Sequence, residues 1–282
     1  MNKLLSTLIY GHPGSGKTTY LNQLADILLE AWPSKIIRLV TAEESAPLLS
    51  KIAGGKIQCW HLDRMRYPFE ALRFASQGYW PLKLDDPLSK YSAPSPETWE
   101  KVSATFFEGA SSFGDYLLGS QAYGGLAART ARGEKLGLDE KTVNFQDGSV
   151  LVGGNNRSQY NTVQSDVLAC IGYSRQLPCT LVWTAHQDQF VPAQGNESII
   201  GPVIVGTAKM PAIIRAFGNV LHAYTCMAPD PKGEKRLYLT DHYWAMNPTV
   251  PMRARTQLPI NPTRPDFIAS GVNTMTDFLK LE

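Results

Sequence analysis

Several things are scarce in this 282-residue chain, and each scarcity removes a class of protein. Its four cysteines, Cys59, Cys170, Cys179 and Cys226, are widely scattered and form no C-x-x-C pair, so neither a zinc ribbon nor a dithiol redox motif is expected and the thiols read as reduced and mostly buried. No apolar run approaches the ~20 residues that a membrane helix needs. The short apolar stretch from Leu4 to Tyr10 runs straight into a glycine-rich turn, so it reads as part of the fold and not as a removable signal, and a soluble, cytoplasmic protein is expected. Charge of one sign is also lacking: the net charge is +2, which neither demands nor excludes nucleic acid. No N-K-x-D guanine-reading motif occurs, and no repeat of fixed period is present.

At 43% hydrophobic and 18% charged, the composition is that of a globular chain long enough for one large α/β domain with insertions. Residues 3–10 read as a buried strand. Lys17 to Trp32 carries Leu21, Leu24, Ile27 and Leu28 on one helical stripe, and Pro33 follows. "IIRLVT", Ile36 to Thr41, reads as a second strand; Ala104 to Phe107 as a short apolar strand ending at Glu108; Tyr160 to Gln176 as a helix; and "TLVWTAH", Thr180 to His186, as a further strand. Gln187 to Met210 reads as a loop, and Val220 to Met227 with Arg236 to Leu239 as a hairpin around "PDPKGEK". A tail from Pro259 ends in a short amphipathic helix near Thr274 to Leu281. Alternating strand and helix predicts a mostly parallel sheet with helices on both faces and an antiparallel hairpin at the C-terminal end.

"GHPGSGKT", Gly11 to Thr18, satisfies G-x-x-x-x-G-K-[ST] between a predicted strand and a predicted helix. In such a loop Gly11, His12, Pro13, Gly14, Ser15 and Gly16 present backbone N–H groups to phosphate oxygens, Lys17 reaches the β- and γ-phosphates, Thr18 ligates magnesium and Thr19 follows in the first helical turn. The expected cofactors are ATP and Mg2+. An acid at the end of a neighbouring strand should orient the metal, and Glu108 after "ATFF" is the candidate. Glu43 or Glu44 could polarise an attacking water, or simply serve as an acid pair ahead of a helix. His186, ending a strand expected beside the phosphate-loop strand, is placed to sense a γ-phosphate.

Residues 109–156 are rich in Gly, Ser, Arg and Asn with weak periodicity, which reads as an insertion, partly helical. Within it Arg129, Arg132 and Lys135, with Arg157 beyond, suit phosphate contacts along nucleic acid, and Tyr116, Tyr123 and Tyr160 could stack on bases; a solvated basic loop is the bland alternative. Arg253 and Arg255 alternate and would share one face of an extended strand.

Taken in order, "GHPGSGKT", "LVTAEES", "ATFFEG", "LVWTAHQ", "GTAK" and "RARTQLP" resemble the RecA-like core, and look most like the phage-encoded ATP-binding proteins that include single-strand-annealing ATPases. The resemblance spans roughly residues 4 to 258, and implies a RecA-like ATPase domain over 1–258 and a separate tail over 259–282. It selects Glu43 as the catalytic glutamate. It maps the family's second acid onto Glu108, where aspartate is more usual, and its γ-phosphate sensor onto His186. It places Lys209 near a subunit interface or DNA loop, and has Arg253 and Arg255 reach ATP across a filament or ring interface. The function it implies is magnesium-dependent ATP hydrolysis in phage DNA recombination, annealing or replication on single-stranded DNA. A P-loop kinase with Arg129 and Arg132 as lid arginines, or a DNA-packaging or partner-remodelling motor, are the other readings.

Overall fold

The computed structural model describes residues 6–43, 45–65, 67–118, 157–190, 199–204, 206, 209–228, 239–245 and 267–269. Strand β1, Ser6–Gly11, is buried along nearly its whole length and delivers the chain into the glycine-rich loop. Helix α1, Lys17–Ala31, follows, and its stripe of Leu21, Leu24 and Leu28 is buried against one sheet face. Each such leucine contributes about 1.5–3 kcal/mol through burial. Then come β2, Ile36–Thr41, the short helix α2, Leu49–Ala53, and β3, Ile57–His61.

Helix α3, Pro68–Ser76, and a small ribbon of β4, Trp80–Pro81, with β5, Tyr91–Ser92, precede α4, Pro96–Glu100, and β6, Val102–Glu108. A helix over 110–118, here α5, leaves the end of β6. After it come α6, Arg157–Ser174, β7, Thr180–Phe190, β8, Ile199–Val203, α7, Met210–Ala216, β9, Asn219–Ala228, β10, Leu239–Ala245, and β11, Phe267–Ala269.

The strands join in the order β11-β10-β9-β1-β7-β6-β2-β3, with β8 against β7. Strands β9, β1, β7, β6, β2 and β3 are mutually parallel, whereas β8, β10 and β11 pair antiparallel. Period-2 alternation sends successive residues to opposite faces. Ile9, Leu39, Ala104, Phe106 and Val182 therefore pack with α1, while Leu8, Tyr10, Val40, Phe107 and Trp183 pack with α3, α5, α6 and α7. The sheet is thus mostly parallel, covered on both faces, with the expected antiparallel hairpin between β9 and β10.

Local expectations hold for β1, α1, β2 and β6, and α6 begins three residues before its predicted start. The helix expected after Glu43 and Glu44 is α2, while β3 and α3 beyond it had no counterpart in the sequence reading. The stretch after His186 differs from expectation: β7 runs on to Phe190, and Gln187–Phe190 pair with Pro202 to Ile199 of β8 where a loop was predicted. Cross-strand pairing overrides weak local signal there. The return strand of the C-terminal hairpin is described from Leu239 to Ala245, so of the predicted Arg236 to Leu239 only Leu239 falls among the described residues. The C-terminal helix near Thr274 to Leu281 lies outside the described residues.

Candidate nucleotide-binding site

Parallel strands bring their carboxyl ends to one edge, and ligands of open α/β sheets bind in the crevice there. Gly11, Thr41, Glu108 and His186 all arrive at that edge: Gly11 lies opposite His186, and Thr41 opposite Glu108. One strand, β7, separates the loop strand β1 from the acid-bearing β6.

The loop needs its glycines for stated reasons. A Cβ on Gly11 would stand 2.2 Å from the Ala223 carbonyl oxygen of β9, so any side chain would part β1 from its neighbour. Gly14 and Gly16 have φ of 77° and 86°, which L side chains rarely adopt. Helix α1 has no side-chain cap at Gly16 and no acid in its first turn, so neither competes for its N-terminal amides, and the positive end of the helix dipole faces the loop. That is the arrangement an anionic phosphate requires. Lys17 Nζ donates to the carbonyl oxygens of Gly11 at 3.0 Å and His12 at 2.8 Å, inside the loop. Burial lowers its pKa to about 8, partly offset by Glu43 and Glu108 nearby.

Across the crevice Glu108 is 1% exposed, and both carboxylate oxygens accept from hydroxyls: Oε1 from Thr18 and Oε2 from Ser45. Burial raises its pKa, against the pull of those two hydroxyls. The Thr18 hydroxyl and the Glu108 carboxylate form a hard oxygen pair at the mouth of the phosphate loop, a donor set that suits magnesium. Among the described residues no cluster of three or more His, Cys, Asp or Glu could hold a metal by itself.

Glu43, beyond the end of β2, is built differently. His186 Nε2 lies 3.4 Å from its Oε1, and the Ser112 hydroxyl of α5 donates to the same oxygen. Gly109, with φ of 86°, presents bare backbone to the carboxylate, and a Cβ there would stand 2.6 Å from Oε1. Both polar contacts therefore fall on Oε1, leaving Oε2 as the oxygen no described residue holds. The imidazole of His186, opposed by burial and aided by Ser112, holds the Glu43 carboxyl below the usual carboxylate range. Two carboxylates thus share one site in environments that push their pKa values in opposite directions.

The junction 108–112 ties these parts together. Gly109 N–H donates to Thr184 Oγ1 at 2.9 Å, and Ser111 Oγ accepts from His186 N–H at 2.8 Å while donating to the Val203 carbonyl of β8. On the opposite sheet face, Gln187 Oε1 meets His222 Nε2 at 2.7 Å, and burial lowers the His222 pKa to about 4.

Among the sequence-predicted residues, the structure brings Lys17, Thr18, Glu43, Glu108 and His186 into one site with the Gly11–Gly16 loop. Thr19 sits in the first turn of α1. The Tyr116 hydroxyl donates to the Asp63 carbonyl at 2.9 Å, whereas Tyr160 is 40% exposed. Lys209 caps the start of α7. Glu44, Tyr123, Arg129, Arg132, Lys135, Arg253 and Arg255 lie outside the described residues, as does the side chain of Arg157. Cys59, Cys170 and Cys179 are free and buried, as expected.

Ser45, Gly109, Ser111, Ser112 and Thr184 were not anticipated. Gly109, Ser111 and Ser112 leave one trace in the sequence, the small, hydroxyl-rich run "EGASS" where β6 ends, whereas Ser45 and Thr184 lie inside the blocks "LVTAEES" and "LVWTAHQ".

No protein-family model matches the chain, and no curated protein matches it. Among solved structures the chain is similar to a KaiC-like protein from the hyperthermophilic archaeon Pyrococcus horikoshii OT3, at 12% identity over 94% of this chain and 88% of that one, with a TM-score of 0.42.

Proposed function

We propose that this chain is a magnesium-dependent, RecA-like P-loop ATPase acting on single-stranded DNA in recombination, annealing or replication of a phage or prophage. The observation that carries the hydrolytic part is the Thr18–Glu108 contact across the mouth of the phosphate loop, with Glu43 beside it and one of its carboxylate oxygens held by no described residue. Bound magnesium would supply charge neutralisation of the β- and γ-phosphates. Lys17 would bind the same phosphates, and the N-terminal amides of α1 would hold them in place.

Glu43 Oε2 would accept a proton from a water attacking the γ-phosphorus as the bond to the β-phosphate oxygen breaks, giving ADP and phosphate. His186, in contact with Glu43, would report the γ-phosphate to β7 and β8. The DNA role rests on the basic run Arg129, Arg132 and Lys135, and assembly into a filament or ring on Arg253 and Arg255 reaching a neighbour's nucleotide.

The test is the rate of magnesium-dependent ATP hydrolysis without DNA, with single-stranded DNA and with duplex, using Glu43→Gln as control. Hydrolysis stimulated by single strands and lost in the variant supports the proposal. Hydrolysis indifferent to any DNA removes the DNA role and favours phosphoryl transfer to a small acceptor or remodelling of a protein partner.

A further inference from the structure

Building on the hydrolytic reading above, we propose that Ser112 is a positioning residue for Glu43: its hydroxyl, with the bare backbone of Gly109 and the ring of His186, seats one carboxylate oxygen so that the other faces the water. The argument is one of asymmetry. A carboxylate offers two oxygens, and both oxygens of Glu108 are occupied by hydroxyls. Glu43, by contrast, takes Ser112 and His186 on Oε1, and Gly109 closes against that same oxygen. One donated hydrogen bond and one close imidazole contact on the same oxygen, at a place where a residue with a Cβ would collide, restrict the orientation of the carboxylate.

The seat is also mechanically connected. Ser112 stands in the first turn of α5, which starts where Phe113 N–H donates to the Gly109 carbonyl at 2.8 Å. The adjacent Ser111 clamps His186 N–H to the β8 carbonyl of Val203, and Tyr116, one turn on, fastens the helix to Asp63. Rotation of α5 would therefore move the base and the β7–β8 hairpin together.

The charged and titratable groups bearing on the pair come from every element around it: Lys17 from α1, Glu108 from β6, His186 from β7 and Asp115 from α5 itself. Removing the Ser112 hydroxyl withdraws a donor from the ionised carboxylate, so the Glu43 pKa moves up toward the ordinary glutamate value.

Ser112→Ala and Ser112→Thr are compared with the wild type by ATP turnover against pH and by 13C titration of the glutamate side-chain carboxyls, with Glu43 assigned from its disappearance in Glu43→Gln. For Ser112→Ala we expect kcat to fall about tenfold with KM for ATP within about twofold. The acid limb of the rate profile and the Glu43 carboxyl titration should both move to higher pH, and Ser112→Thr should restore both. Unchanged melting temperature and unchanged nucleotide affinity establish that Ser112→Ala is folded. An unmoved Glu43 titration overturns the proposal, and so does a moved titration with wild-type kcat. Should the wild-type protein show no turnover, the hydrolytic reading fails, and the titration by itself then upholds or removes the Ser112–Glu43 contact.

Discussion

Gly109→Ala tests the seat of the catalytic glutamate, because its two consequences can be separated. A Cβ at position 109 would stand 2.6 Å from Glu43 Oε1 and 2.8 Å from the carboxyl carbon, where ordinary contact begins near 3.4 Å. The carboxylate must retreat by roughly 0.8 Å. As the far end of a flexible side chain it can do so at little cost in stability, but misplacing a reacting group by about 1 Å costs on the order of 100-fold in rate. Separately, the φ of 86° at Gly109 costs an alanine about 1–2 kcal/mol of backbone strain. For a chain of 282 residues that lowers the melting temperature by about 2–3 °C.

Gly55→Ala is the matched control: its φ is 69°, so it bears similar strain, but a Cβ there meets nothing within 4 Å. Both variants should melt lower by similar amounts, and Gly109→Ala should also lose about 100-fold in kcat with nucleotide affinity retained. Thermal melting, fluorescent-nucleotide binding and steady-state turnover read the three quantities. If Gly109→Ala turns over within about threefold of Gly55→Ala, Glu43 is not the base seated against Gly109, and the reasoning fails.

Other outcomes follow from the same geometry. Burial lowers the Lys17 pKa to about 8 from 10.5, so between those values the unfolded chain binds more protons and the melting temperature of the free protein should rise with pH. Lys17→Met should lose that rise, and with it ATP hydrolysis; wild-type turnover in the variant would remove the phosphate-loop assignment. Glu108→Gln should abolish magnesium-dependent hydrolysis yet melt higher than the wild type at neutral pH. The folded-state pKa of Glu108 is raised, so its charge costs stability above that pKa, and the difference should fade as pH falls through it. Replacing Arg129, Arg132 and Lys135 together by alanine should leave DNA-free hydrolysis within about twofold and flatten the salt dependence of single-strand binding, read by fluorescence anisotropy; an unchanged salt slope would place the contact elsewhere.

The phosphate loop was legible in the sequence because its chemistry is local: eight consecutive residues carry the glycines, the lysine and the hydroxyl, and the strand before and helix after are set by their own periodicity. Glu108 was legible for a related reason, since it closes an apolar run that ends a buried strand, and His186 because it follows the apolar run of β7, although that strand continues past it to Phe190. Glu43 could be narrowed to one of two adjacent acids, with position favouring it over Glu44 and the resemblance then selecting it.

The company those residues keep was not legible. Ser45 meets Glu108 across 63 positions of chain, and Ser112 meets Glu43 across 69. A serine's own sequence neighbourhood says nothing of which carboxylate a parallel sheet will bring to it. The extension of β7 past His186 is likewise a product of pairing with β8, because "QDQF" has no strand pattern strong enough to declare itself. The sequence by itself determined that a triphosphate-binding loop is present and which acids stand at strand ends. Only the tertiary structure decided that one acid has both oxygens occupied while the other, among the described residues, is held through one, because that difference depends on strand order and on the helix packed beside each strand's end.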